Sequence, residues 1–321
     1  MLYTRRELGK LALATVPAAA LSGRPLAAFA AKPDSKVAGV QIGLNVPYDF
    51  GNNMMSGDEV LDGCVKLGIS AVELRSQPVE QFMGVPAALL AGPGRGAPTP
   101  EQAAARKTAA DELQKWRASA PVSKAKEFRK KYEDAGVLIQ ILKYDNILNF
   151  SDPVLDYAFE LAKTLGARAI SCELPVDQVG GAKRLGQFAD KHKIMIGFHG
   201  HLTMTPAIWE KAFSYAKYNG ANLDIGHFIS GNKTSPVPFL KQYHDRITHV
   251  HVKDKTLDDK NVPFGKGDTP VKEVLQLIRD NKWNMQATIE FEYPVPTGSD
   301  RMTEIAKSIQ FCRDALAQPK T

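Results

Sequence analysis

The chain has 321 residues, of which 44% are hydrophobic and 24% charged, and this composition excludes a disordered, collagen-like or multi-pass membrane protein. Its 3 cysteines are too few for a disulfide framework or a Cys-x-x-Cys metal knuckle. The formal net charge of +6 falls to +3 without the first 30 residues, no basic stripe remains, and a nucleic-acid partner is therefore not expected.

The N-terminus has the pattern of an export signal. An arginine pair at 5–6 precedes a moderately apolar stretch over 11–21, and Ala-Phe-Ala at 28–30 is typical of a cleavage site. We predict a twin-arginine signal peptide over 1–30 and a periplasmic mature domain over 31–321. The alternative is a short amphipathic helix. The apolar stretch is too short for a bilayer of about 30 Å, so no membrane span is expected.

From Val37 onward, short β-rich runs alternate with helical patterns, which is typical of βα units around a parallel sheet. The predicted strands are 39–44, 70–74, 137–142, 168–173, 194–199, 221–225, 247–252 and 286–291. The predicted helices are 58–67, 153–165, 181–192, 206–219, 236–244, 270–281 and 300–317. Eight units of this kind predict an α/β protein with a single-domain (β/α)8 TIM barrel. An open doubly wound sheet is the alternative, but residues 45–48 lack its usual glycine-rich turn.

One segment, 81–123, interrupts this alternation after the second predicted strand. It begins with a loop rich in Gly, Pro and Ala and continues as a helical pattern over 100–118. Loops that follow barrel strands lie at the active-site face, so we interpret this insertion as a lid or as an interface arm of a possible homo-oligomer. A solvated helix with no role in chemistry is the alternative.

Acidic and histidine side chains collect where the predicted strands end. The chain has Glu173 at the end of strand four, His199-Gly-His201 after strand five, Leu-Asp-Ile-Gly-His at 223–227, His-Val-His-Val-Lys-Asp at 249–254 and Ile-Glu-Phe-Glu at 289–292. In a closed barrel these ends open on one mouth. Mixed carboxylate and imidazole donors suit one divalent ion such as Mn, Zn, Co or Mg, and five successive strand ends favour a metal site over isolated structural residues.

Alternation along strand seven separates its two histidines. His249 and His251 point to the same face, but His251 lies nearer the C-terminal end. We therefore predict that His251 is a metal ligand and that His249 is an inner-barrel residue or supports the ligands.

These motifs, together with Pro-Phe-Gly-Lys-Gly-Asp at 263–268, resemble those of the xylose-isomerase-like barrel superfamily. Within it, the chain is similar to the sugar phosphate isomerase/epimerase branch, which includes ketose 3-epimerases, inosose dehydratases and enzymes that act on 3-keto-glycosides. The resemblance covers residues 37–316. It implies a metal-dependent isomerase, epimerase or carbon-oxygen lyase of carbohydrate metabolism.

The resemblance also implies ligands. Asp224, His251 and Glu290 match three of the family's four metal ligands. Ketose epimerases place the remaining glutamate after strand five, where this chain has two histidines instead. Dehydratase-like relatives carry a glutamate after strand four, which implies Glu173 as the fourth ligand and argues against simple ketose epimerisation.

The implied chemistry passes through a metal-stabilised enediolate, which is common to isomerisation, epimerisation and β-elimination. The predicted base beside the ion is Glu173 or Glu290. His201 is predicted as a proton shuttle and Lys253 as the partner of a substrate hydroxyl or oxyanion. The predicted substrate-binding residues are His199, His227 and Arg75. Because a phosphate loop is missing, neutral sugars, keto-glycosides or polyols are the expected small-molecule carbohydrate substrates.

Two further expectations concern residues after strand seven. Asp254 is predicted to pair with Lys253 or to cap the next turn. Asp268 and Thr269 are predicted to cap a helix that begins at Pro270.

Two other functions remain open at this point. An endonuclease IV-like phosphodiesterase uses the same barrel with three zinc ions, but it needs further histidines after strands two and three, where the chain has Glu-Leu-Arg at 73–75 and Leu-Lys-Tyr at 142–144. A non-catalytic sugar-binding barrel, or a subunit of a complex, would keep the fold without a loaded ion.

Overall fold

The computed structural model describes residues 32–90 and 98–319; the predicted signal peptide lies outside them. Eight parallel strands pair in chain order, and the last pairs with the first, so the sheet closes into a barrel. The strands are β1 (Val40–Val46), β2 (Ala71–Arg75), β3 (Leu138–Tyr144), β4 (Ala169–Glu173), β5 (Met195–His199), β6 (Asn219–Asp224), β7 (Ile247–Val252) and β8 (Gln286–Ile289). The predicted TIM barrel and its single-domain organisation are therefore confirmed.

Helices surround the barrel. They are α1 (Gly57–Lys66), α2 (Ser76–Met83), α3 (Ala87–Leu90), α4 (Pro100–Ser119), α5 (Ala125–Ala135), α6 (Asp152–Leu165), α7 (Gly181–His192), α8 (Pro206–Ser214), α9 (Ile225–Asn232), α10 (Val237–Tyr243), α11 (Val271–Asp280) and α12 (Arg301–Ala317). Most bury one apolar face; on α11 this face consists of Val271, Val274, Leu275 and Ile278, at helical spacing. None of the described helices is both long and apolar enough to cross a membrane.

Local sequence signals explain several helix ends. Ser56 and Glu59 form a capping box at the start of α1. Gly136 and Gly166 follow α5 and α6 with φ of 86° and 78°, a left-handed conformation that glycine adopts without a side-chain penalty. These caps fix where the chain leaves each helix and returns to the barrel.

The structure corrects the predicted elements on both sides of strand six. Helix α8 ends at Ser214 instead of 219, and Asn219 begins β6 because its buried amide donates hydrogen bonds to the carbonyl oxygens of Ala182 and Ala212. Helix α9 was not predicted. Its N-cap is Asp224, whose Oδ1 accepts a hydrogen bond from the backbone of His227.

The predicted caps of α11 are wrong. Asp268 instead accepts a hydrogen bond from the backbone of Leu257, and the Thr269 hydroxyl accepts one from the backbone of Lys255. Helix α11 begins after Pro270 without a side-chain cap. Both side chains therefore hold the loop that precedes the helix.

The predicted insertion contributes α3, α4 and the end of α2, between β2 and β3. Most of α4 is exposed, but Arg117 near its C-terminus is buried and forms two 2.7 Å bonds with the buried carboxylate of Glu80 on α2. This ion pair anchors the insertion to the barrel. All three cysteines are free and buried.

Candidate metal centre and active site

Four buried side chains converge at the C-terminal ends of the last four barrel strands. His199 ends β5, Asp224 ends β6, His251 lies near the end of β7, and Glu290 directly follows β8. One possible ligand atom from each lies within 4.8 Å of the others. Parallel strands of a closed barrel bring these residues together although they are far apart in sequence.

The donor set fits a divalent ion. His199 Nδ1 is buried and has no hydrogen-bond partner among the described residues. His251 Nδ1 and Asp224 Oδ2 have ionic neighbours but no hydrogen bond of normal geometry. Burial lowers the pKa of His199 to about 3, so its imidazole is neutral, as a metal ligand must be. Two imidazoles and two carboxylates are donors that Mn, Zn or Co accept.

Glu73 supports His251 from behind and was not predicted as a site residue. Its Oε2 lies 2.5 Å from His251 Nε2, and neither side chain has exposed surface. A carboxylate on the far nitrogen of a ligating histidine orients the ring. His249 lies below it, with Nε2 3.2 Å from the same carboxylate oxygen and Nδ1 2.9 Å from the Thr248 hydroxyl.

The carboxylates of Glu290 and Glu73 determine whether the His251 imidazole carries a proton. Burial disfavours the imidazolium, but Glu290 and Glu73 outweigh burial and raise the pKa of His251 to about 10. Burial, together with the charges of His251 and Arg168, lowers the pKa of His249 to about 4 despite Glu73. Without an ion, His251 is therefore a cation between two carboxylates.

Lys253 is the second buried cation at the centre. Its Nζ lies 2.9 Å from Asp224 Oδ2, 2.5 Å from Glu290 Oε2 and 2.7 Å from Glu292 Oε2. Burial opposes its charge, but the three carboxylates raise its pKa well above the usual value. The glycine at 226 makes room for it, because a Cβ there would lie 2.5 Å from Lys253 Cγ.

Asp224 and Glu290 are ionised. Burial opposes this, but Lys253 and His227 lower the pKa of Asp224 to about 2. His251 and Lys253 hold the pKa of Glu290 well below its usual value in the same way. Asn45 donates to the other Glu290 oxygen at 2.9 Å.

Glu173 lies at the mouth but outside this group of four. Its Oε1 accepts a 2.8 Å bond from the buried Lys143, and its Oε2 lies 2.9 Å from His201 Nε2. Burial opposes ionisation of Glu173, but His199 and Lys143 outweigh it and lower its pKa well below the usual value. The hydrogen bond to Glu173 raises the pKa of His201. His199, which was predicted to bind substrate, holds the fourth place in the group instead.

The remaining predicted residues lie around the mouth. His227 and His201 form a second group with His199, with one nitrogen of each within 4.8 Å of the others. Burial lowers the pKa of His227. Arg75 forms an ion pair with Asp145, with Nη1 2.8 Å from Oδ2.

Asp254 organises the loop after β7. Its Oδ2 accepts hydrogen bonds of 2.8 to 3.0 Å from the backbone N–H groups of Gly265, Lys266 and Gly267. A Cβ at Gly267 would lie 2.3 Å from Asp254 Oδ1, so glycine is required there. Of the two predicted roles, Asp254 therefore has the second: it caps the backbone of the turn at 265–267 and forms no ion pair with Lys253.

Two supporting residues were missed by the sequence analysis. Glu73 is the middle residue of β2, which reads Ala-Val-Glu-Leu-Arg. Lys143 is the sixth residue of β3, which reads Leu-Ile-Gln-Ile-Leu-Lys-Tyr. A charged residue inside a strand of a barrel core was the available signal.

Comparison with known proteins places the chain in a class. Residues 104–315 match the family described as "Xylose isomerase-like TIM barrel". The chain belongs to this family.

An inosose dehydratase of Clostridium tetani is 24% identical over 139 residues, which are 36% of this chain and 46% of the relative. The match thus spans less than half of that protein's length.

Solved structures share the fold. The probable 3-DHS dehydratase AsbF of Bacillus anthracis, involved in petrobactin synthesis, superposes with a TM-score of 0.58 at 13% identity, covering 84% of this chain and 98% of AsbF. A D-psicose 3-epimerase of Clostridium cellulolyticum H10 gives a TM-score of 0.55 at 10% identity, covering 87% and 97%. At these identities the likeness concerns the fold alone.

Proposed function

We propose that this chain is a divalent-metal-dependent enzyme that isomerises, epimerises or dehydrates a sugar, keto-glycoside or polyol. The observation that carries this proposal is the group of His199, Asp224, His251 and Glu290, four buried donor side chains with ligand atoms within 4.8 Å at the mouth. Membership of a family with dehydratase and epimerase relatives supports the same class of chemistry.

We propose that these four residues hold one ion, with Glu73 orienting His251. When bound, the ion would polarise a substrate carbonyl and stabilise the negative charge of the enediolate that forms when the neighbouring C–H proton leaves. Glu173, predicted as a ligand, is assigned a different role because it is not among the four side chains whose ligand atoms lie within 4.8 Å of one another, and it contacts Lys143 and His201 instead.

His201 and Glu173 are positioned for proton transfer. The imidazole is 61% exposed at the mouth, so a substrate can reach it, and Glu173 fixes its ring through the 2.9 Å contact. A histidine oriented by a carboxylate is a common acid/base arrangement. Lys253 is assigned to a substrate oxygen near Asp224 and Glu290, to which it would donate in place of one of the three carboxylates that its N–H groups face. His227 lines the same space and can contact substrate hydroxyls.

The experiment is a measurement of bound metal followed by an assay in D2O. Protein loaded with Mn, Zn, Co or Mg is incubated with free ketoses, glucosides, 3-keto-glucosides and inosose-type polyols, and NMR follows products and deuterium incorporation. We expect one ion per chain and ion-dependent exchange of a substrate C–H proton. The matched control is His192→Gln, which changes a histidine on the outer helix α7 and leaves the mouth intact.

Two outcomes would contradict the proposal. Absence of a stoichiometric ion with retained sugar binding would identify a sugar-binding barrel. About three bound zinc ions with phosphodiesterase activity would identify a nuclease.

We further propose that the protein acts in the periplasm after removal of residues 1–30. Mass spectrometry of the periplasmic fraction should find a mature N-terminus near Ala31. An uncleaved chain would contradict this.

A further inference from the structure

A cavity separate from the metal group lies between the insertion and the segments that follow β2 and β3. Its volume is about 630 Å³, which is in the range of small-molecule sites in proteins. Its lining comes from α2, α3, α4 and the segment from Asp145 to Phe150. None of the proposed metal ligands, acid/base residues or buried cations of the centre lines it.

The cavity has an apolar wall and a polar edge. Ala105, Ala109 and Leu113 follow one another at four-residue intervals on α4 and therefore share one helix face. The amide side chains that also line the cavity are Gln77, Gln114, Asn146 and Asn149. A flat apolar ring with hydroxyl substituents matches this combination.

The floor of the cavity is fixed before any ligand arrives. Arg117 and Phe150 both line it, and the guanidinium lies 4.8 Å from the centre of the phenyl ring. The bidentate bond from Glu80 holds Arg117 in place. A preformed surface of this kind binds a ring without ordering a loop first.

The cavity is joined to the catalytic mouth by an ion pair. Asp145 lines the cavity, and its partner Arg75 stands on the other side, 5.1 Å above the ring of Tyr48. The Tyr48 hydroxyl donates a 2.9 Å bond to Glu292, which also contacts Lys253. The Arg75–Asp145 ion pair thus lies between the mouth and the cavity, and a substrate that used both would extend across it.

We infer that the cavity binds the aglycone of a glycoside whose sugar ring is held at the mouth. The inference rests on the proposed function and narrows its substrate class. The charges in the lining favour an uncharged aglycone, because Asp145 is paired with Arg75 and Arg117 with Glu80. The remaining charged lining residue, Arg106, can donate to an aglycone oxygen.

The test compares two probes that differ only in the aglycone: phenyl β-D-glucopyranoside and methyl β-D-glucopyranoside. Isothermal titration calorimetry measures their affinities for the metal-loaded full chain. We expect the phenyl glycoside to bind about tenfold more tightly, from burial of its ring. Ala109→Trp, which fills the cavity from α4, should remove this preference and leave the methyl glycoside within about twofold.

Two further variants make the test specific. Ala105→Trp fills the same wall one turn earlier and should act like Ala109→Trp. Ala104→Trp places the same ring on the exposed, opposite face of α4 and should keep the tenfold preference. Circular dichroism verifies that all three variants fold.

The outcomes separate the two proposals. Equal binding of both probes to the wild-type chain, or a preference that survives both filling variants, overturns the aglycone site and leaves the proposed function intact. No binding of either glycoside also overturns the aglycone site, whereas the proposed function is overturned by the absence of a stoichiometric ion or of ion-dependent proton exchange, which are measured separately.

Discussion

Nε2 of His251 lies 2.5 Å from Oε2 of Glu73, although the two residues are 178 positions apart in sequence. The contact links β7 to β2 across the interior of the barrel. It leaves Nδ1 of His251 as the nitrogen that faces Glu290, at 3.2 Å from its Oε2. The carboxylate thereby determines which side of the ring is available to an ion.

Replacing Glu73 by Gln should weaken metal affinity by about 10- to 100-fold, because the ring loses an ionic acceptor that orients it. Competition with a chromophoric chelator measures this. Glu160→Gln, on the outer helix α6, is the control and should bind like wild type. Unchanged affinity in the Glu73 variant would show that the contact does not support the ligand.

The fourth ligand can be tested directly. Because His199 completes the group of four and Glu173 does not, His199→Ala should lose the ion, as should Ala variants of Asp224, His251 and Glu290. Glu173→Gln should retain one ion per chain. Elemental analysis of each purified variant gives the answer, and loss of the ion in the Glu173 variant would restore that residue as the ligand.

His201→Ala should lower turnover by about 10²- to 10⁴-fold, the usual contribution of general acid/base catalysis. Its metal content should not change, because His201 lies outside the proposed ligand set. Exchange of the substrate's acidic proton with solvent deuterium should stop. Exchange at the wild-type rate would move the base to Glu173 or Glu290.

Metal affinity should rise with pH. In the ion-free protein the pKa of His251 is about 10, so at neutral pH the ring carries a proton that a ligating nitrogen must lose. Affinity should increase about tenfold per pH unit from about pH 6 to 9, with release of one proton per ion, and should level off above the pKa of His251.

Calorimetry in buffers of different ionisation enthalpy counts the protons released. His227→Gln, which keeps the proposed ligands, should give the same count. Affinity independent of pH over this range would contradict the assigned charge of His251.

The ion pair between Glu80 and Arg117 predicts a stability effect. Their side chains are 0% and 8% exposed, so Arg117→Met leaves a buried, uncompensated carboxylate and should cost about 3 to 5 kcal/mol of unfolding free energy. Adding Glu80→Gln should recover most of this loss, because the neutral amide can accept from one of the Ser76 and Tyr157 hydroxyls through its oxygen and donate to the other through its nitrogen.

Chemical denaturation measures these differences. Lys107→Met breaks an exposed ion pair with Asp111 on the same helix and should leave the denaturation midpoint unchanged. A double variant no more stable than Arg117→Met alone would show that charge is not the cause of the loss.

The barrel could be predicted from the sequence because its strands and helices leave periodic patterns of apolar residues. Each strand is a short apolar run and each outer helix has an apolar face, so eight units could be counted. Helix α9 was missed because it begins directly at the strand end: Asp224 serves both the metal group and the helix cap. Because Asp224 both ends β6 and caps α9, no loop in the sequence marks the boundary between the strand and the helix.

The convergence of the candidate site residues could be predicted where they stand at strand ends, but not where it depends on the direction of a side chain. Asp224, His251 and Glu290 come together because barrel closure requires it. Whether Glu173 or His199 stands beside them depends on Lys143, which draws Glu173 away from the group through a 2.8 Å bond. That pairing joins neighbouring strands and has no local sequence signature.

Lys253 has a consequence for how the protein exists without its ion. Its ammonium group, together with the imidazolium of His251, offsets part of the negative charge of Asp224, Glu290 and Glu292 inside the barrel, so the repulsion among these carboxylates is reduced when no metal is present. Metal binding would then replace contacts of the Lys253 ammonium group with contacts of the ion, in a barrel that is already folded. In the proposed metalloenzyme, folding and metal binding would thereby be separate events, and a chelator should remove activity without unfolding the barrel.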